Sequence, residues 1–156
     1  MKANYKPIGG VERCTLYPAD AVQAAIFSSE GCEVQLRGEG IEVELLEETS
    51  RYEEESKGVD GIVKVSHLLN LVADRKEAEV WLDNDFLEHL VIEGTIAIVT
   101  LEDGRRLLVG YSSHFGDEQP LRLESMISSS GNNLHEQPIV TLRLVSHDTE
   151  FSSEII

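Results

Sequence analysis

Side chains that could support catalysis crowd into residues 101–123, LEDGRRLLVGYSSHFGDEQPLRL. Arginines, a tyrosine, a serine–histidine pair and carboxylates are the groups that acyl transfer and acid–base chemistry use. The same stretch contains Asp-Gly between two apolar arms, which is the strongest short signal for a β-hairpin. We therefore predict an architectural segment, with a type I′-like turn at EDGR and with Tyr111 and Phe115 anchoring the following loop on the core.

Serine–histidine neighbours occur three times in the sequence. They are Ser66-His67, Ser113-His114 and Ser146-His147. A nucleophilic serine needs the histidine nitrogen within hydrogen-bond reach. The first and third pairs lie in predicted strands, where adjacent side chains point to opposite faces. The sequence also has no GxSxG elbow, so we predict that none of these pairs is catalytic.

The segment DNDFLEH supplies oxygen and imidazole donors at Asp83, Asp85, Glu88 and His89. The spacing does not match a calcium-binding loop, and aspartates that cap the next element explain it as well. Neither GEG at 38–40 nor EDGRR meets the requirements of a phosphate-binding loop. We predict no catalytic residue, metal site or cofactor. An enzyme that uses these side chains or His147 is an alternative hypothesis.

Net charge restricts the range of partners. The 156 residues include 29 acidic and 13 basic side chains, a formal net charge of −16. Such a surface repels phosphates, so direct nucleic-acid recognition is not expected. No apolar run reaches the roughly 20 residues that span a bilayer, and the N-terminus lacks the apolar region of a signal peptide. We expect a cytoplasmic protein without membrane contact, with Cys14 and Cys32 reduced; a disulfide between them is the alternative.

Alternating apolar and polar residues predict a β-rich chain. Predicted strands are 12–17, 33–48 as two strands around a Gly38–Gly40 turn, 62–72, 78–82, 95–112 as a hairpin, 120–126 and 138–148. The segment 62–72 competes with a helix that would begin at Ser66, and 86–92 fits either a helix or a strand.

The remaining segments predict one helix and two connections. Apolar residues recur at helical spacing in 18–27, where Pro18 suits the first turn. The acidic stretch 49–61 and the polar stretch 127–137 predict loops. About eight antiparallel strands with one or two short helices indicate a β-barrel or β-sandwich. We predict one domain over 1–156, with a flexible arm at 1–10 and a flexible tail at 152–156.

Three segments carry a resemblance to a known class of proteins. They are the hairpin IVTLEDGRRLLVGYS, the final strand PIVTLRLVSHDTEFS and the acidic loop 49–61. Together they resemble the architecture of phage tail-tube and tail-completion proteins and of the related tubes of contractile secretion systems. The resemblance implies ring-forming homo-oligomers joined by sheet edges and loops, an acidic lumen and a place in a virion. Such tubes usually have a clear helix across the barrel, which only 18–27, 66–76 or 84–91 could supply here.

Two non-enzymatic functions follow from these patterns. The first is a structural or assembly protein that associates with copies of itself and with other assembly proteins, through loops 49–61 and 113–119 and through unpaired sheet edges. The second is a small-molecule-binding barrel or sandwich. In that case the residues that line its mouth or groove are Trp81, Arg106, Tyr111 and Phe115.

Overall fold

The chain is mainly β, as the alternating pattern predicts. A computed structural model describes residues 10–46, 49–130 and 138–156. Within these ranges there are eleven strands and two helices, so the strands outnumber the eight predicted. All strand-to-strand ladders are antiparallel, and the sheets are open rather than closed into a barrel.

The elements are numbered in chain order. They are β1 (Val11–Pro18), β2 (Val22–Ser28), β3 (Gly31–Leu36), β4 (Ile41–Val43), β5 (Arg51–Val59), β6 (Ile62–Asp74), α1 (Arg75–Ala78), α2 (Asn84–Ile92), β7 (Thr95–Leu101), β8 (Arg106–Val109), β9 (Arg122–Ser129), β10 (Ile139–Asp148) and β11 (Ser153–Glu154). The predicted strands at 12–17, 62–72, 95–112 and 138–148 are confirmed.

Two sheets pack around the main core in a sandwich-like arrangement. The five-stranded sheet has the order β11-β8-β7-β1-β4, and the four-stranded sheet has the order β5-β6-β10-β9. Every second residue of β6 from Val65 to Ala73 is buried, and β10 alternates in the same way from Val140. This period of two places one face of the four-stranded sheet against the core and leaves the other towards solvent.

A second, smaller core lies on the other side of the five-stranded sheet. There the hairpin β2–β3 places Cys32 against Ile96 and Leu108. Alternate residues of β7, such as Ala97 and Val99, face the main core instead. One face of β7 is therefore covered by the main core and the other is covered around Ile96, which explains its nearly continuous apolar sequence TIAIVTL. The two cysteines are free and buried, Cys14 in the main core and Cys32 in the second.

The predicted helix at 18–27 is wrong, because β2 occupies most of it. Phe27 packs into the second core while its neighbour Ile26 is exposed. The sequence contains this alternation as well as the helical spacing, and packing against the five-stranded sheet favours the strand over the helix. The expected hairpin within 33–48 is also wrong: β3 pairs with β2, whereas β4 pairs with β1.

The predicted loop at 49–61 is a strand. β5 pairs with β6 along its whole length, and Asp60 and Gly61 between them have φ values of +52° and +80°. Positive φ at both central residues defines a type I′ turn. The turn predicted as type I′ at EDGR differs, because Gly104 has a positive φ but Asp103 does not. The type I′ turn is therefore at Asp60-Gly61 rather than at Asp103-Gly104.

The segment between the two sheets also departs from prediction. Residues 78–82 are not a strand: α1 ends at Ala78, and a turn follows in which Trp81 N–H donates to the Ala78 carbonyl. The ambiguous stretch 86–92 is helix α2. A helix does not begin at Ser66, since β6 continues to Asp74. Neither described helix has the length and apolar composition of a membrane-spanning segment.

The chain ends contain one further correction. Residues 152–156, predicted as a flexible tail, contribute β11, which pairs with β8, and Ile156 N–H donates to the Cys32 carbonyl. The predicted N-terminal arm lies outside the described residues except for Gly10. Of the connection predicted at 127–137, residues 127–129 belong to β9 and 131–137 lie outside the described residues.

Two glycines with similar backbone conformation make a matched test of the packing beside α2. Gly94 and Gly104 have φ of +82° and +93°, but only at Gly94 would a Cβ meet neighbours, Pro120 Cγ at 2.7 Å and the Leu121 carbonyl oxygen at 2.8 Å. We expect Gly104→Ala to lower the free energy of unfolding by about 1–2 kcal/mol. Gly94→Ala should lower the free energy of unfolding by about 1–3 kcal/mol more than Gly104→Ala does. Urea unfolding measures both, and equal losses would contradict the described packing.

Candidate functional site

The stretch 101–123 is architectural in the structure. It forms the β7–β8 hairpin, whose turn is fastened by Asp103 Oδ2 accepting from Arg105 Nε at 2.7 Å. Beyond β8, Phe115 N–H donates to Ser112 Oγ at 3.1 Å and closes a second turn. Tyr111 anchors the segment as predicted, since its ring stacks on Phe27 at 6.2 Å in the second core. Phe115 is half-buried beside the following turn.

Sequence-adjacent serines and histidines point apart in the strands, as predicted. His67 is buried towards the core whereas Ser66 lies on the opposite face of β6. The antiparallel register nevertheless places Ser66 opposite His147, with Ser66 Oγ 3.2 Å from His147 Nδ1. This exposed cross-strand contact was missed, because it depends on a register that the sequence does not reveal. The two Val-Ser-His triplets at 65–67 and 145–147 were its only signal.

A buried polar cluster joins β5, β6 and the segment after β10. Tyr52 Oη lies 2.7 Å from His67 Nδ1 and 2.9 Å from Glu54 Oε2. The Ser152 N–H and hydroxyl donate to the same Glu54 oxygen at 2.6 and 2.8 Å. His67 Nε2 donates to the Glu150 carbonyl at 2.8 Å. The side chains of His67 and Glu54 are only 5% and 3% exposed.

Hydrogen counting shows how these groups are matched. The two short contacts of Tyr52 Oη need two hydrogens, and the tyrosine supplies one of them. The Tyr52 hydroxyl donates its hydrogen to Glu54 Oε2, and its oxygen faces His67 Nδ1. Among the described residues, no buried side-chain nitrogen or oxygen is left without a partner.

The cluster holds the chain between β10 and β11 in place. The Glu150 side chain accepts from Ser113 Oγ at 2.9 Å and from His114 N–H at 3.0 Å, so it ties the loop after β8 to the same segment. Burial, followed by the charge of Glu54, raises the pKa of Tyr52 well above its ordinary value. Tyr52 therefore stays a hydrogen-bond donor. Because these groups are enclosed, they stabilise the fold rather than meet a substrate.

Two of the four donors in DNDFLEH, Asp83 and His89, make contacts at helix α2. Asp83 Oδ1 accepts from Phe86 N–H at 2.8 Å, so the interpretation of this aspartate as a helix cap is confirmed. His89 Nδ1 lies 2.8 Å from Glu93 Oε2, one turn further along the helix. Within the ranges that the structure describes, no group of three or more His, Cys, Asp and Glu side chains is arranged to hold a metal ion.

The four residues predicted to line a ligand site make different local contacts. Trp81 packs edge-on against Phe86 at 5.5 Å beside the main core. Tyr111 belongs to the second core, and the Phe115 ring contacts the His114 ring at 4.5 Å. Of the four, Arg106 alone lines the groove described next.

The open groove containing Arg106 has a volume of about 650 Å³ and lies on the outer face of the five-stranded sheet, beside the hairpin β2–β3. Its lining is Tyr17, Ala24, Ile26, Glu33, Val34, Gln35, Leu36, Ile98, Arg106, Ile155 and Ile156. Within the described part of the chain, the Arg106 guanidinium has no ion pair. Sequence reasoning missed the groove because its lining comes from six separate segments of the chain.

A second exposed surface is the end of the β5–β6 hairpin, residues 57–64, which we call the arm. β10 pairs with β6 only from Val65 onwards, so the arm is a two-stranded extension of the four-stranded sheet. Its apolar side chains are exposed: Val59 by 39%, Ile62 by 56% and Val63 by 55%. The arm includes the end of the predicted contact loop 49–61, but as a β-hairpin.

Comparisons with protein-family models, with curated proteins and with solved structures give no match for this chain. The resemblance to phage tail proteins therefore stays a prediction.

The raised pKa of Tyr52 predicts a loss of stability in alkali. Above about pH 10 the unfolded chain releases the tyrosine proton while the folded chain keeps it, so the free energy of unfolding falls as pH rises. We expect Tyr52→Phe to lower stability at pH 7 by about 1–3 kcal/mol by breaking the cluster. The variant should also show a shallower decline between pH 9 and 11, roughly the range above the ordinary tyrosine value.

Urea unfolding of both proteins at several pH values measures this difference. The buried Cys14 thiol, whose pKa burial raises to about 12, titrates in the same alkaline range. Its contribution is common to both proteins and cancels in the comparison. Parallel declines for the two proteins would contradict the assignment.

Proposed function

We propose that this protein is a non-enzymatic structural protein that assembles with copies of itself through the arm. The observation that carries the proposal is the exposure of Val59, Ile62 and Val63 on a hairpin that extends beyond its sheet. A two-stranded hairpin that packs against nothing is only marginally stable in water. A partner surface would both bury these side chains and stabilise the hairpin.

The arm has two apolar faces. Val59 lies directly opposite Ile62 in the antiparallel register, so their side chains share one face, while Val63 opposite Gly58 projects from the other. Directly opposed apolar residues contact each other and form one continuous patch. Burying the exposed half of each side chain would contribute on the order of 1 kcal/mol. Val59 and Ile62 on one face and Val63 on the other would each add such a contribution in every copy.

The charge of the arm differs from that of the rest of the chain. Lys57 lies opposite Lys64, in a protein whose net charge is −16. Acidic surfaces on two copies repel each other, so a basic position next to an apolar patch favours one orientation of approach. Assembly through this patch would leave the acidic surface towards solvent, as the predicted resemblance to tail tubes also implies.

A second candidate function is a small-molecule-binding module. The groove supports it, because apolar side chains such as Ile98 and Ile155 line it together with Arg106, which has no ion pair among the described residues. This chemistry suits an amphiphile with a carboxylate head. The test is a thermal-shift series with straight-chain fatty acids: stabilisation that disappears in Arg106→Ala favours the module, and no stabilisation counts against it.

Solution mass as a function of concentration tests the assembly proposal. We expect light scattering after size exclusion to give multiples of the 17.3 kDa chain mass as concentration rises. Ile62→Asp should weaken association at least about tenfold, because it places a charge in the apolar patch. Circular dichroism verifies that the variant stays folded.

Val80→Asp is the matched control for this variant. Val80 is 89% exposed and lies outside the arm, so its substitution adds the same charge and should leave the oligomer unchanged. A wild-type protein that remains monomeric at every concentration would contradict the proposal, and so would equal effects of the two variants.

A further inference from the structure

We propose that the arm of one copy binds in the groove of a second copy. This inference rests on the proposed function and adds the receiving surface. The groove is bounded by the hairpin β2–β3 and by the outer face of the five-stranded sheet. The arm is a narrow ribbon two strands wide, and a ribbon laid on a sheet face is an ordinary way for β-structures to pack.

Apolar surface is available on both sides of this contact. In the groove, Ile26 and Ile156 are each 66% exposed, and Ile98 forms part of the floor. On the arm, Val59 and Ile62 form the opposing patch. Large exposed apolar side chains that are grouped rather than scattered mark interaction surfaces.

Charges match in both signs, which favours the arm over other apolar occupants. The arm carries Asp60 in its turn and Lys64 a few residues behind it. The groove carries Arg106, which has no ion pair among the described residues, and Glu33 directly opposite Ile26 on the hairpin. Insertion turn-first would bring Asp60 to Arg106 and leave Lys64 beside Glu33.

The cross-strand lysines give a reason why the arm needs such a partner. Lys57 and Lys64 are directly opposite each other, an arrangement that destabilises a β-ladder. Lys57 has a contact with Glu55 at 3.2 Å, but in the described part of the chain Lys64 has no ion pair. A carboxylate from another copy would compensate the charge of Lys64.

Arm and groove are different surfaces of the molecule. The arm continues the four-stranded sheet, whereas the groove lies on the far face of the five-stranded sheet. A contact between them is therefore heterologous: each copy gives one arm and receives one. Such contacts repeat from copy to copy and produce closed rings or filaments.

Mixing two blocked variants tests this pairing directly. Ile62→Asp blocks the arm but keeps an intact groove, and Ile26→Asp blocks the groove but keeps an intact arm. Both side chains are more than half exposed, so both variants should fold. We expect each variant alone to be monomeric and an equimolar mixture to form a dimer of one copy of each, detected by light scattering.

The outcomes separate this inference from the proposed function. If Ile26→Asp assembles like the wild type while Ile62→Asp does not, the arm has a role but the groove is not its receptor, and the inference is overturned. Two monomeric variants whose mixture stays monomeric also overturn it. A wild-type protein that never associates overturns both proposals. Stabilisation by decanoate that needs Arg106, with assembly unaffected by Ile26→Asp, would assign the groove to a small ligand instead.

A charge exchange provides a second, milder test. Lys64→Glu should weaken association about tenfold, and Glu33→Lys should do the same, since each places like charges together. Both changes in one chain should restore most of the affinity. Additive weakening in the double variant would show that the two side chains do not meet.

Discussion

The five-stranded sheet must bury both of its faces, and most features of the fold depend on this constraint. β7 is apolar on both sides, so one face packs against the four-stranded sheet and the other needs a separate cover. The hairpin β2–β3 and residues 153–156 supply that cover only in part. The uncovered remainder of the outer face is the groove with Arg106 in its lining. The groove is thus a consequence of how the sheet is layered.

The four-stranded sheet faces a different constraint, because its strands differ in length. β6 has 13 residues and β10 has 10, so the hairpin β5–β6 extends beyond its neighbour and forms the arm. The buried cluster around Tyr52 fixes edge strand β5 to the segment after β10, and from there the chain continues into β11 of the other sheet. Strands β5 and β6 therefore carry both the buried hydrogen-bonded cluster and the exposed arm.

Local patterns predicted several strands correctly but failed at 18–27, 49–61 and 78–82, and they predicted few strand partners. Alternation identified β6 and β10, and Asp-Gly identified the β7–β8 hairpin. The type I′ turn at Asp60-Gly61 had the same signal, but the acidic residues before it suggested a loop, although Glu54 among them is buried against Tyr52. Helical spacing in 18–27 was overridden by packing. Pairings such as β4 with β1, the Ser66–His147 contact and the groove depend on long-range register, which one sequence does not contain.

The proposed contact between arm and groove would leave the acidic surface in solvent while one basic, apolar projection meets the next copy. Hydrogen exchange of the backbone amides in residues 57–64 tests this account most directly, with dilute and concentrated protein compared. We predict exchange in the arm that slows markedly at high concentration, while exchange in the exposed turn at Gly104 stays unchanged. Equal arm exchange at both concentrations, over a range in which the solution mass is also constant, would contradict it.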